Sequence, residues 1–176
     1  MKHIALMRGI NVGGNNKLPM KELARLFTEA GCRDIHTYIQ SGNVVFDPAG
    51  RDLKKVAAHV EHGIRMEFGF DSPVVLRTED EMLKAVADNP FPGDEEILSV
   101  VFLSGVPAPE AVAALDPARS PGDRFIVRGG EIYLHLPNGL GKSRLTNTWF
   151  DSKLKTVSTI RNWKTVLRLV EMAKTD

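Results

Sequence analysis

The chain begins with an apolar run, HIALMRGI, that breaks into a loop of glycine and asparagine, NVGGNNK, and so predicts a short buried strand. Helical spacing follows: Leu23, Leu26, Phe27 and Ala30 fall on one face, Pro19 suits the first turn and Gly31 the close. DIHTYIQSGNVVFD reads as a pair of short strands around a turn at Ser41, Gly42 and Asn43. Leu53, Val56, Ala57, Val60 and Ile64 predict a second helix, and PVVLRT a further strand. Thr78 and Glu81 form a capping box ahead of a helix carrying Met82, Leu83 and Val86.

The pattern then repeats. ILSVVFL is an apolar strand, PEAVAAL a short helix, and DRFIVRGGEIYLHLP a hairpin turning at Gly129 and Gly130. SRLTNTWFDSKL is expected to be helical with Leu145, Trp149 and Phe150 inward, TVSTI to be a strand, and Asn162 to cap a last helix bearing Val166, Leu167 and Val170. In apolar phase VVLRTEDEMLKAV matches STIRNWKTVLRLV, and VVFDPAGRDL matches YLHLPNGLGKSRL with Pro48 against Pro137. The expected fold is α+β, built of two ferredoxin-like β-α-β-β-α-β halves related by an internal duplication. The Pro/Gly stretch DNPFPGD is the expected boundary, with an N-terminal half and its linking helix over 1–92 and a C-terminal half and terminal helix over 93–176.

Topology says which loops meet. In a split β-α-β unit the first and second strands run the same way, so RGINVGGNNK and IQSGN share one sheet end. By the same reasoning PNGLGKS and TIRNW share an end of the second half. In the first cluster Gly9, Gly13 and Gly14 allow positive φ and close approach of a ligand, and amides ahead of a helix suit an anion. Arg8 and Lys17 supply charge, while Asn11, Asn15, Asn16, Gln40, Ser41 and Asn43 supply neutral donors and acceptors. The plain alternative is that Asn and Gly simply satisfy tight turns. In the second cluster Gly141, Lys142 and Ser143 resemble part of a P-loop, but that motif needs a glycine where Leu136 stands. What survives is a place for one anionic group, with Arg161 beside it, or else a solvated turn with Ser143 as a helix cap.

Composition narrows the classes. With a net charge of +1 and its charges interspersed, the chain has no global field for nucleic acid or an anionic membrane. Its single cysteine, Cys32, excludes an internal disulfide framework, and no apolar run is long enough for a signal peptide or a membrane span, so a cytoplasmic protein is expected. His59 and His62 stand three apart but lack a third ligand, so no metal site is expected. No nucleophile elbow or paired carboxylate identifies an enzyme, and no cofactor is indicated. Glu22, Asp34 and Asp47 are potential bases by proximity alone. The expected partner is a small phosphate- or carboxylate-bearing molecule. The alternative is an RNA-binding module that stacks bases on Tyr38, Phe46 and Tyr133, although its third strands lack the basic-aromatic signature; a protein partner for the loops is a third reading.

Four segments carry a resemblance to a known family. RGINVGGNNKLPM, YIQSGNVVF, LPNGLGKSRLT and TIRNWKTV are similar to the signature segments of the bacterial domain of unknown function 1697 family. The family's basic residue in the first segment is Asn15 here, and its SKLT is Ser143-Arg144-Leu145-Thr146. The resemblance implies a fold of two ferredoxin-like parts and brings no activity, substrate or catalytic residue with it.

Overall fold

The computed structural model describes residues 1–174. Its first sheet comprises β1 (His3–Met7), β2 (Arg33–Tyr38), β3 (Asn43–Asp47) and β4 (Val74–Thr78), in the order β2-β3-β1-β4 with every pairing antiparallel. Helix α1 (Met20–Glu29) links β1 to β2, and α2 (Leu53–Phe68) links β3 to β4. The second sheet comprises β5 (Leu98–Leu103), β6 (Arg124–Arg128), β7 (Glu131–His135) and β8 (Ser158–Asn162), in the order β6-β7-β5-β8 and again antiparallel. Its linking helices are α4 (Pro109–Ala113) and α5 (Asn147–Leu154). Each sheet is followed by a helix: α3 (Glu79–Ala87) after β4, and α6 (Trp163–Ala173) after β8. The fold is α+β with two ferredoxin-like halves, and their common strand order fits duplication.

In the first half, strand alternation sends Ala5 and Met7 of β1 and Val44 and Phe46 of β3 to the helix-covered face. There they meet Leu23, Leu26 and Phe27 of α1 and Val56, Val60 and Ile64 of α2, with Phe27 and Phe46 rings 4.9 Å between centroids. Such side chains each stabilise by about 1.5–3 kcal/mol on burial. The i, i+3, i+4 pattern that predicts α1 is therefore the pattern that closes the core. The second half repeats the arrangement with Val101, Leu103, Ile132 and Leu134 against Phe150 and Leu154 of α5.

Element ends hold several differences from expectation. Pro19 is the N-cap of α1, not its first residue, because ψ at 139° keeps it extended. Thr146, not Ser143, caps α5: its hydroxyl accepts from the Trp149 amide at 3.2 Å. Leu145, expected within that helix, precedes it and is still buried. Leu167, expected inward on α6, is 44% exposed, one position off the buried stripe of Val166, Leu169 and Val170. The capping box at Thr78 and Glu81 forms in both directions, at 2.8 and 3.1 Å.

The chain divides into two compact units: residues 1–82 with those from Leu169 onward, and residues 83–168. Residues 83–92, assigned in sequence to the first half, are fastened within the second unit. The Tyr133 hydroxyl donates to the Ala85 carbonyl at 2.6 Å, Arg128 donates to the Asp88 carbonyl, and Phe91 packs on His135 with centroids 5.1 Å apart. Burial pushes the Tyr133 phenol well above its ordinary value, so it stays a donor. Among the described residues no helix is long and apolar enough to cross a membrane.

Candidate functional site

The loop after β1 and the turn after β2 meet, as the topology requires. The Met7 amide donates to the Gly42 carbonyl at 2.8 Å, and a Cβ on Gly42 would stand 2.5 Å from Ile10 and 2.6 Å from Met7. Only glycine lets the turn rest that closely on β1, and its φ of 82° asks for glycine a second time. Asn11 joins the segments. Its carboxamide nitrogen donates to the Leu18 carbonyl at 2.9 Å and the Gln40 carbonyl at 2.8 Å, and its oxygen accepts from the Leu18 amide at 2.8 Å. Arg8 and Ser72 continue the seam: the Arg8 amide donates to the Pro73 carbonyl, and the Ser72 hydroxyl to the Arg8 carbonyl.

Between Asn11 and Lys17 the chain makes a miniature hairpin. Val12 bridges Asn15 across Gly13 and Gly14, whose φ values of 55° and 79° suit a type I′ turn. The Asn15 amide donates to the Val12 carbonyl at 2.9 Å, and the Asn11 amide to the Asn16 carbonyl at 3.0 Å. The Asn16 side chain donates to the Gly9 carbonyl, and Asn43, wholly buried, donates to the Tyr38 carbonyl and to the Ser41 hydroxyl. Asn11, Asn16 and Asn43 therefore spend their side chains on the protein's own backbone, as asparagine does in turns. What reaches outward is the exposed tip of Gly13 and Gly14, whose amides have no partner among the described residues, with Asn15 and Lys17 beside it. Lys17 has no ion-pair partner among the described residues. Gln40 and Ser41 lie on the neighbouring turn, with Gly9 at the loop's base.

That turn carries a strained residue that the sequence pattern does not announce. Ile39 adopts φ 48° and is 48% exposed. A β-branched side chain in the left-handed region is a genuine outlier, and the carbonyls on either side of it, Tyr38 and Gln40, are held by Asn43 and Asn11. Val12, 61% exposed, stands on the hairpin across the seam.

The second cluster does not assemble as expected. Both segments leave the same end of the second sheet, since β7 and β8 each run antiparallel to β5, with His135 against Leu98 and Asn162 against Ser99. Arg161, however, is a strand residue, because α6 starts directly at Trp163 and no loop intervenes. It is 7% exposed and donates to the Thr159 hydroxyl and the Ile160 carbonyl, both at 2.8 Å. Burial draws its guanidinium down to about 10, still charged at neutral pH. Its counterpart in the first sheet is Arg77, 8% exposed, which donates to the Leu76 carbonyl at 2.9 Å. Aligning VVLRT with STIRN pairs these arginines, a signal available in sequence. Gly141 and Lys142 lie in a short 3-10 turn, and the Ser143 hydroxyl accepts from the Leu145 amide at 3.1 Å.

Of the three strand aromatics named as a stacking surface, only Tyr38 is partly exposed. Phe46 and Tyr133 are buried, and Trp163, in the first turn of α6, is 5% exposed and part of the core. Among the described residues no group of histidine, cysteine and carboxylate side chains is arranged to hold a metal.

A four-stranded antiparallel sheet of the same strand order in each half, each backed by helices and one carrying a clipped, glycine-tipped rim, defines an α+β protein of two ferredoxin-like halves. The chain belongs to the family described as Protein of unknown function (DUF1697), whose model matches residues 1–133. In fold it is similar to the structure of conserved bacterial protein SP0830 from Streptococcus pneumoniae, with a TM-score of 0.76 at 21% identity, covering 99% of this chain and 98% of that chain. The structural likeness thus extends past residue 133 to the whole second half. No curated protein matches the chain.

Proposed function

We propose that the protein binds a small anionic molecule, bearing phosphate or carboxylate, at the rim where residues 8–18 meet residues 39–42. The observation that supports it most is the three-bond clamp of Asn11, which holds an exposed Gly13-Gly14 tip and Lys17 beside a second loop. Pre-arranged amides and one uncompensated ammonium suit an oxyanion, and a rim that is already ordered loses little entropy on binding. Gln40, Ser41 and Asn15 supply neutral donors at its edge. The second-half residues Gly141, Lys142 and Ser143 are not needed for this reading.

The test is thermal unfolding of the full chain against a panel of phosphorylated and carboxylated metabolites at constant ionic strength. Binding at the rim raises the midpoint in proportion to the logarithm of ligand concentration, and Lys17→Ala abolishes the rise. A panel without any stabilising member overturns the proposal, as does stabilisation that Lys17→Ala leaves intact.

A further inference from the structure

The opposite end of the first sheet, where β2 begins and β3 ends with Arg33 against Asp47, holds an open pocket of about 270 Å³. It lies between the close of α1 and the opening turns of α2, with Val56 and Ala30 as apolar lining. Arg51, Lys55 and His59 all line it. They recur every four residues, so Lys55 and His59 share one face of α2, about 6 Å apart along its axis, and Arg51 enters from just ahead of the cap.

The acids in the same wall are already engaged. One Glu29 oxygen accepts from Arg25 at 2.5 Å, and the other is 3.9 Å from His59 Nε2. Asp52 caps α2, its Oδ1 accepting from the Lys54 amide at 2.8 Å and the Lys55 amide at 3.3 Å. Arg51 and Lys55, by contrast, have no anionic partner among the described residues. Arg51 is also placed: its Nε stands 2.6 Å from where a Cβ on Gly31 would be. The guanidinium lies against the backbone that closes α1 because residue 31 has no side chain there. It makes no hydrogen bond to the last carbonyls of α1, so helix capping does not account for it.

We infer that this pocket binds a phosphate group of a small molecule, with Arg51 and Lys55 as its charged donors and His59 at its edge. A flat guanidinium and a compact ammonium around one hollow suit a tetrahedral oxyanion, and the engaged acids at its border disfavour an extended polyanion. The site is independent of the rim, which lies at the other end of β1.

The experiment is a titration of the ¹⁵N-labelled full chain with inorganic phosphate, chloride holding the ionic strength constant. Saturable shifts are expected at the backbone amides of residues 50–56 and at the His59 ring. Arg51→Gln and Lys55→Gln, both exposed substitutions that leave the core intact, weaken the response at least tenfold, and Lys17→Ala leaves it unchanged. Absence of saturation at these signals overturns the inference. So does saturation that persists in both glutamine variants, which marks an adventitious ion only, or its loss in Lys17→Ala, which returns the anion to the rim.

Discussion

Asn11 has φ 51° and its side chain makes three hydrogen bonds, to residues 7 and 29 positions away in sequence. Alanine in its place loses those bonds and takes on left-handed strain, a combined cost of about 2–4 kcal/mol. Urea denaturation of Asn11→Ala measures it, and a loss under 1 kcal/mol, about the worth of a single bond, shows that the clamp is not structural. Ile39 runs the other way. Asparagine tolerates its backbone conformation, so Ile39→Asn is expected to raise stability by about 0.5–1.5 kcal/mol, read from the same denaturation midpoint. If the strained turn serves the proposed rim, the gain in stability comes with weaker anion binding. The glycines and asparagines of this rim were visible as a cluster in the sequence, but their division of labour was not. A composition rich in amide groups reads as binding capacity, whereas Asn11, Asn16 and Asn43 turn inward to backbone groups that only the fold brings near.

Among the elements, the strand order followed from short apolar runs alternating with helical periodicity, and the meeting of the loop after β1 with the turn after β2 followed from that order. Boundaries were harder. TIRNW reads as a loop with an arginine on show, yet β8 passes into α6 without a connecting residue, and this places Arg161 inside the sheet. DNPFPGD reads as a linker, yet its approach is pinned by Tyr133 and Arg128 across 48 and 40 residues of sequence, which no local pattern reports. Removing only the Tyr133 hydroxyl leaves the ring packing in place and an acceptor without its donor. Tyr133→Phe is therefore expected to cost about 1–2 kcal/mol, with faster hydrogen exchange over residues 83–92. Unchanged exchange there shows that this segment is held without the phenol.

At the scale of the molecule, the first unit is discontinuous in sequence, taking residues 1–82 and those from Leu169 onward, whereas residues 83–168 form the second without interruption. Leu169 is fully buried and Ala173 is 3% exposed, so the late segment contributes apolar packing. Leu169→Ala is expected to cost about 2–5 kcal/mol, with amide protection falling in β1–β4 more than in β5–β8. Equal losses in both sheets contradict that assignment. During synthesis the order of assembly then departs from the order of translation. The second unit is contiguous in sequence, whereas the first cannot be completed until all of the second has been made and Leu169 follows.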